Sequence, residues 1–354
     1  VTPSSNIFRS GKILYLALGL LALALPLIIT NKYLLHMIIM CYINAIAIYG
    51  LNLIMGYTGQ LSLAHAGFYG IGAYTAGILT LKLKWSFWLA LPAACVVTAL
   101  IGMLVGLISL RLKSHYFTIF SLCVGVIIHL VIEHWESLTE GVRGIIGVPP
   151  PNPIPLPGGG KILFTDLNAQ YYLVFLCLVF TIFVMTRIIN SLVGRTFMAI
   201  RNSEELASTI GIDVFTAKLI SFALSAFFAG LAGALFASYI RFLGPPMSHP
   251  NMAFEMLLAL LIGGQATMAG PLVGSLLVST VTESLQFMQS YRNVVFGPFL
   301  ILVVMFFPGG IVGAYYSLKN WIRSKRRARA ALKETSPPAA VPGNRRNKSE
   351  ELRG

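Results

Sequence analysis

Gln60, Ser62 and His65 lie inside an apolar, glycine-rich stretch, GYTGQLSLAHAGFYGIGAYTAGIL, over residues 56–79. An amide, a hydroxyl and an imidazole in such a setting can hydrogen-bond a neighbouring helix or line a path for a polar solute. For His65 both readings stand. A second group, Arg195, Arg201, Glu204 and Glu205, sits in the polar connector 190–218 between two apolar runs. Mixed charges beside apolar residues suit the rim of a docking surface. Neither group forms a catalytic constellation. The chain has no G-x-x-x-x-G-K-[ST], no nucleophile elbow, no HExxH and no paired carboxylates. The glycine-rich stretch lacks the lysine of a phosphate loop and follows no strand pattern. The chain therefore reads as a non-enzyme without an ATP site or cofactor of its own. Its energy source must be another subunit or an ion gradient. The four cysteines, Cys41, Cys95, Cys123 and Cys177, show no metal-ligand spacing and read as small buried hydrophobes.

The elements that hold these residues are membrane spans. Of 354 residues, 56% are hydrophobic and 11% charged, against about 25% charged in a soluble domain. A spanning helix needs about 20 apolar residues. By that rule, spans fall at 13–29, 34–55, 60–81, 86–110, 116–132, 171–189, 219–240, 252–264, 270–289 and 294–314. The first reads as a span and not as a signal peptide, because no small-residue cleavage site follows Pro26. The run 252–264 is short, either a tilted crossing or a broken helix. The fold class is all-α, a polytopic helix bundle of about ten spans, with eight or nine as the alternatives.

Glycine costs a helix about 1 kcal/mol relative to alanine, so the density in residues 56–79 needs a reason. Without water to drive association, helices in lipid pack through small residues. Ser62, Ala66, Gly70, Ala73 and Gly77 form one small stripe at helical spacing. Gly56 and Gly59 precede it and can break the helix, giving an irregular entrance of the kind tolerated beside a cavity or inside protein. Packing and pathway roles both remain open for Gly56, Gly59, Gln60, Ser62, His65, Ala66, Gly70 and Gly77.

The formal charge of +14 does not point to nucleic acid, since eleven of the 26 Lys and Arg fall between Lys319 and Arg353 with little aromatic interleaving. Basic residues beside a final span mark the cytoplasmic side. With both termini inside, the inner segments carry nineteen Lys and Arg and the outer ones seven; without the tail the score is eight to seven. The resulting domain plan is a membrane domain over 1–318 and a basic, polar, disordered cytoplasmic tail over 319–354. Within the domain, loop 133–169 lies outside; its PPPNPIPLPGGG is expected to form neither helix nor strand. Residues 190–218 lie inside, with a short helix from Phe197 to Ile210 ended by Gly211.

At this level of detail the sequence resembles the inner-membrane permeases of branched-chain amino acid ABC importers, of the LivM type. Besides residues 56–79, the resemblance is carried by LRLKSHYFTIFSLCVG (110–125), TEGVRGIIGVP (139–149), GRTFMAIRNSEELASTIGID (194–213), GGQATMAGPLVGSLL (263–277) and LILVVMFFPGGIVG (300–313), in the family's order. Four positions depart from it: Glu140 where Gly is usual, Arg143 where Asn is usual, and Gln265-Ala266 where Met-Gly is common. The resemblance implies transport of branched-chain or related amino acids through the inner membrane. It implies a second, related permease chain, two ATPase subunits that bind the ATP, and a periplasmic or surface-tethered substrate-binding protein. It makes residues 194–211 the loop that docks on the ATPase, with Gly194, Arg195, Phe197, Arg201, Glu204, Glu205, Leu206, Ala207 and Gly211 as its members. Phe197, Met198 and Leu206 are the expected anchors in the partner's groove.

Two alternatives remain at this stage. One keeps the importer and changes the cargo to urea, a short amide or another amino acid. The other is an ion-coupled secondary carrier, a class that shows internal repeats and intramembrane acids. Here Glu133, Glu255 and Glu283 lie near the outer ends of spans and no clear repeat is visible.

Overall fold

The computed structural model describes residues 23–26, 31–112, 114–155, 161–284 and 309–314. Of the expected spans 13–29 and 294–314 only 23–26 and 309–314 are among the described residues, and the tail 319–354 lies outside them. Within them the chain is helical. Its main helices are α1 (Lys32–Leu51), α2 (His65–Leu81), α3 (Phe87–Ser109), α4 (Ser114–His134), α5 (Leu167–Asn190), α6 (Leu192–Asn202), α7 (Glu204–Thr209), α8 (Val214–Ile240), α9 (Pro250–Gly263) and α10 (Gly270–Ser284). Among the described residues five helices are long and apolar enough to cross a bilayer: Lys32–Tyr57, Phe87–Ser109, His115–His134, Leu167–Asn190 and Val214–Ile240. The helix α2 is shorter, with 17 residues, about 25 Å at 1.5 Å per residue. The expected start at residue 60 is displaced to His65 because 58–64 is irregular.

The helices alternate in direction. At one end Lys82 Nζ donates to the carbonyl oxygens of Ser137 and Leu138 at 3.1 and 2.8 Å, and Phe87 N donates to Asn152 Oδ1 at 2.8 Å. The same end carries two short antiparallel ladders. Strand β1 (Ile145–Ile146) pairs with β4 (Phe242–Leu243), and β2 (Ile154–Pro155) with β3 (Lys161–Ile162). The expectation that PPPNPIPLPGGG holds no strand is thus corrected at Ile154–Pro155. A proline is admissible there because a two-stranded ribbon has only edges. The opposite end collects residues 52–64, the α6–α7 connector and residues 264–269.

The centre is α1, α2 and α8. A Cβ added at Gly72 would strike the backbone of Gly230, and one at Gly233 would strike the backbone of Tyr69 and Ala73. Glycine thus lets α2 and α8 touch backbone to backbone. Gly50 repeats the device between α1 and α8, where a Cβ would lie 2.7 Å from Ser225 O. On the expected stripe, Gly70 faces Ser248 and Ile132, and Gly77 faces Leu243 and Val148. The helices α3, α4 and α5 pack around this centre with their outer faces exposed; Cys123 on α4 is one of those outward residues, against the expectation that every cysteine is buried. The short run expected at 252–264 is α9, which turns at Gly264 (φ 115) and returns as α10.

Candidate functional site

The irregular entrance begins where α1 changes to a π-helical turn over Asn52–Tyr57. A Cβ at Gly56 would meet Ala266 N at 2.6 Å, and Gly59 takes φ 81, a left-handed conformation suited to glycine. The following backbone has no helical ladder, so its polar groups find other partners. Gln60 N donates to Ile54 O at 3.0 Å, and Leu63 N to Ser121 Oγ at 3.0 Å. Thr58 Oγ1 donates to Leu53 O at 3.1 Å and lies 2.7 Å from Ser221 Oγ on α8. Ser62 Oγ is buried and has no hydrogen-bond partner among the described residues.

The two groups of polar residues seen in the sequence meet here. Gln60 Nε2 donates to Glu204 Oε1 at 3.0 Å. The same oxygen lies 2.6 Å from Lys218 Nζ, on a lysine that is buried near the start of α8. Beside them, Arg201 packs on the glycine face of residue 59. The α6–α7 connector is therefore bonded both to the entrance and to the central helix α8. Lys218 is the member that sequence reasoning missed. It entered only as one inner positive charge, although a lone lysine opening an apolar run was the available signal.

His65 belongs to the packing. Its Nε2 lies 2.8 Å from Ala47 O on α1, and its Nδ1 3.4 Å from Ser225 Oγ on α8. With Nε2 protonated, it donates to the carbonyl and accepts from the serine, tying three helices together. Ala66 is buried beside it, whereas Gly70 and Gly77 lie toward the opposite end, away from the Gln60–Glu204 group.

A second cluster joins the entrance to the turn between α9 and α10. Asn52 Nδ2 donates to Thr267 O at 3.0 Å, and Asn52 Oδ1 accepts from Ala266 N at 2.8 Å. Tyr49 OH donates to Met268 O at 2.7 Å. Ala266 holds φ 57 and Glu140 φ 62. Both of these departures from a family glycine therefore fall on left-handed backbone.

The connector differs from expectation in two respects, its helices and the placement of Phe197. The single helix from Phe197 to Ile210 is two helices, α6 and α7, broken at Ser203 (φ −163, ψ 118). Ser203 Oγ accepts from Leu206 N at 3.3 Å and so caps α7. Gly211 takes φ 84 at the end of this stretch. Phe197 is fully buried in the chain's own core with Ile200 and Ala207, so it is not available as an anchor for a partner. The exposed apolar side chains are Leu192, Val193, Met198, Leu206 and Ile210, flanked by exposed Arg195, Arg201 and Glu205. Asp213 closes the connector by capping α8. Hydrogen bonds from the Thr216 hydroxyl (2.6 Å) and amide (3.2 Å) hold its carboxyl below the usual carboxylate range. Among the described residues no cluster of His, Cys, Asp and Glu could hold a metal ion.

Residues 33–306 match the family described as branched-chain amino acid transport system / permease component. The chain belongs to this family. It is 30% identical over 319 residues to the high-affinity branched-chain amino acid transport system permease protein LivM of Salmonella typhimurium, covering 85% of this chain and 75% of that protein. The LivM protein of Escherichia coli is 30% identical over 320 residues, with the same coverage. The high-affinity branched-chain amino acid transport system permease protein LivH of Salmonella typhimurium is 22% identical over 275 residues, covering 75% of this chain and 89% of that protein. No solved structure matches. The permease is thus a helical, multi-pass membrane protein whose irregular entrance, exposed connector and central helix share one bonded network.

Proposed function

We propose that this permease forms half of the translocation path of an ABC importer for branched-chain amino acids. The α6–α7 connector receives the stroke of an ATPase. The observation that carries this reading is the Glu204 carboxylate, which holds both Gln60 of the entrance and Lys218 of α8. A push on the connector is thereby delivered to α8 at the centre and to the irregular backbone beside it. Leu206 and Ile210, 69% and 74% exposed, offer the ATPase an apolar contact. The charges around them set its angle. LivM and LivH, two related permeases of one named transport type, support a second, non-identical permease chain as partner. ATP is bound by two ATPase subunits, and a substrate-binding protein delivers cargo to the face formed by residues 133–155, 161–169 and 241–249. On this reading the connector end and both termini are cytoplasmic, the membrane domain runs over 1–318, and the tail over 319–354 is a cytoplasmic extension.

The test is co-purification of the ATPase together with uptake of labelled leucine in cells carrying the whole importer. Leu206→Asp combined with Ile210→Asp should leave the amount of permease in the membrane unchanged and remove both ATPase binding and uptake. Normal uptake in that variant would place the ATPase contact elsewhere and end this reading of the connector.

A further inference from the structure

One stripe of α5 is turned to lipid. Leu176, Phe180, Phe183 and Arg187 follow one another at steps of four, three and four, and all four are exposed. They therefore share one face of the helix. At 1.5 Å per residue Arg187 lies about 30 Å from Leu167, the thickness of a hydrocarbon core, about 30 Å. An arginine on that stripe and at that depth extends its guanidinium to the headgroups and not among acyl chains. The headgroups are those of the end that the proposed topology places inside. The guanidinium lies 5.2 Å from the centre of the Phe183 ring, which fixes its direction.

Ser191 alone separates α5 from α6. A Cβ at Gly194 would strike the carbonyl oxygens of Ile188 and Ile189, so the first turn of α6 lies against the last turn of α5. This sets Leu192, 77% exposed, with Val193 and exposed Arg195 at the same end of the span as Arg187. The other face of α6 enters the core through Phe197 and Ile200. No Asp or Glu stands between Asp166 and Glu204. Glu204 is held by Lys218, and among the described residues neither Arg187 nor Arg195 has a carboxylate partner. Two guanidinium groups and two apolar side chains thus share a corner at the membrane surface, with no counter-charge from the described chain.

We propose that this corner binds the phosphate headgroup of an anionic phospholipid in the inner leaflet, and that the lipid clamps α6 to the membrane. Arg187 and Arg195 donate hydrogen bonds to phosphate oxygens, which the planar guanidinium fork fits. Leu192 and Val193 enter the boundary between headgroups and acyl chains. The phosphate is a lipid's because Arg187 belongs to the lipid-facing stripe and its neighbours are apolar. The proposal rests on the orientation given above and adds a regulator to the connector. With α6 held between lipid and core, α7 is left to the ATPase, and coupling weakens in a bilayer without anionic lipid.

The experiment uses the full-length permease with p-benzoyl-phenylalanine in place of Leu192, alone and in the whole importer. Each is placed in nanodiscs of phosphatidylcholine and phosphatidylglycerol. After irradiation, mass spectrometry of the α6 peptide should show phosphatidylglycerol adducts in excess of that lipid's share of the bilayer. Arg187→Gln should lower the excess about fivefold, the contribution of one basic residue at an anionic surface. Arg187→Lys, which keeps the charge, should retain most of it. High salt should remove it, and inorganic phosphate should compete no better than chloride at equal ionic strength. In proteoliposomes, phosphatidylglycerol should stimulate leucine uptake by the wild type and not by Arg187→Gln. Adducts that follow the bulk lipid composition, or an excess indifferent to Arg187→Gln, would overturn the proposal. Displacement by inorganic phosphate would do so too, by making the corner a site for the free anion. A label found only on the ATPase in the whole importer would assign the corner to that subunit. Equal uptake by the wild type with and without phosphatidylglycerol would remove the clamp. If Arg187→Gln is not recovered as folded protein, the salt dependence of the wild-type adducts decides. The adducts require neither ATPase nor cargo, so failure of the importer reading leaves the lipid result standing.

Discussion

Two sets of helices in this permease look alike in composition and live in different surroundings. In the most apolar window of Lys32–Tyr57, 78% of residues are buried, and in that of Val214–Ile240, 67%; for Phe87–Ser109, His115–His134 and Leu167–Asn190 the shares are 28%, 22% and 28%. Hydrophobicity does not separate the centre from the shell, because lipid tails are as apolar as leucine. The centre is marked instead by what lipid would reject or waste. It holds polar groups such as Asn52, Thr58, Ser221 and Ser225, and glycines that remove side chains to bring backbones together. The shell presents Leu104, Ile119 and Leu176, each largely exposed.

The contrast is broken most severely at Gly72. Gly72→Leu drives a side chain into the backbone of Gly230, which cannot move aside as a side chain could. Overpacking of this kind costs roughly 1–3 kcal/mol or more. It should abolish recovery of folded, detergent-solubilised protein by size-exclusion chromatography. Leu104→Ala on the shell should change stability by no more than an exposed substitution does, about 0.5 kcal/mol or less, leaving the thermal midpoint nearly unmoved. Equal losses at the two positions would erase the distinction between centre and shell.

A smaller effect is expected where the centre meets the connector. Glu204→Ala leaves Lys218 buried without its carboxylate. Loss of one partner of a fully buried pair costs about 3–5 kcal/mol. The half-exposed Glu204 side chain lowers this to roughly 1–3 kcal/mol through solvent screening. Adding Lys218→Met should restore most of the thermal stability but not uptake, because the link between connector and α8 is still cut. A double variant that regains transport would show that the pair serves folding alone.

The smallest effect concerns the left-handed residues. Ala266→Gly and Glu140→Gly should each stabilise the protein by about 1 kcal/mol, the usual cost of holding a side-chain-bearing residue in that conformation. Additive rises in thermal midpoint would fit, since the two turns lie at opposite ends of the molecule.

The irregular entrance was legible in the sequence, because Gly56 and Gly59 stand just where an apolar run would otherwise continue as helix. The connector was legible as a polar element between spans but not in its internal geometry. Phe197 and Leu206 are both apolar residues in a charged stretch. Only the fold shows that the first turns inward to the core and the second outward. The break at Ser203 is a local hydrogen-bond choice competing with good helix formers on either side. The glycine through which α2 meets the α8 backbone is Gly72, outside the stripe drawn from spacing alone, because the partner that selects the face, Gly230, lies far along the chain.

The bonds of Asn52 also set a timetable for biogenesis. Its side chain reaches a partner 215 residues later in the chain, and the partner of Thr58 comes 163 residues later. At about 5–20 residues per second, synthesis of the longer interval takes roughly 10–40 s. For that time α1 has its polar end made and its partners not yet made. It cannot settle into lipid as a finished, independent span, and needs water, the insertion machinery or provisional partners for those groups. The turn at 264–269 arrives late and closes the centre, so a chain interrupted before it leaves an unsealed bundle.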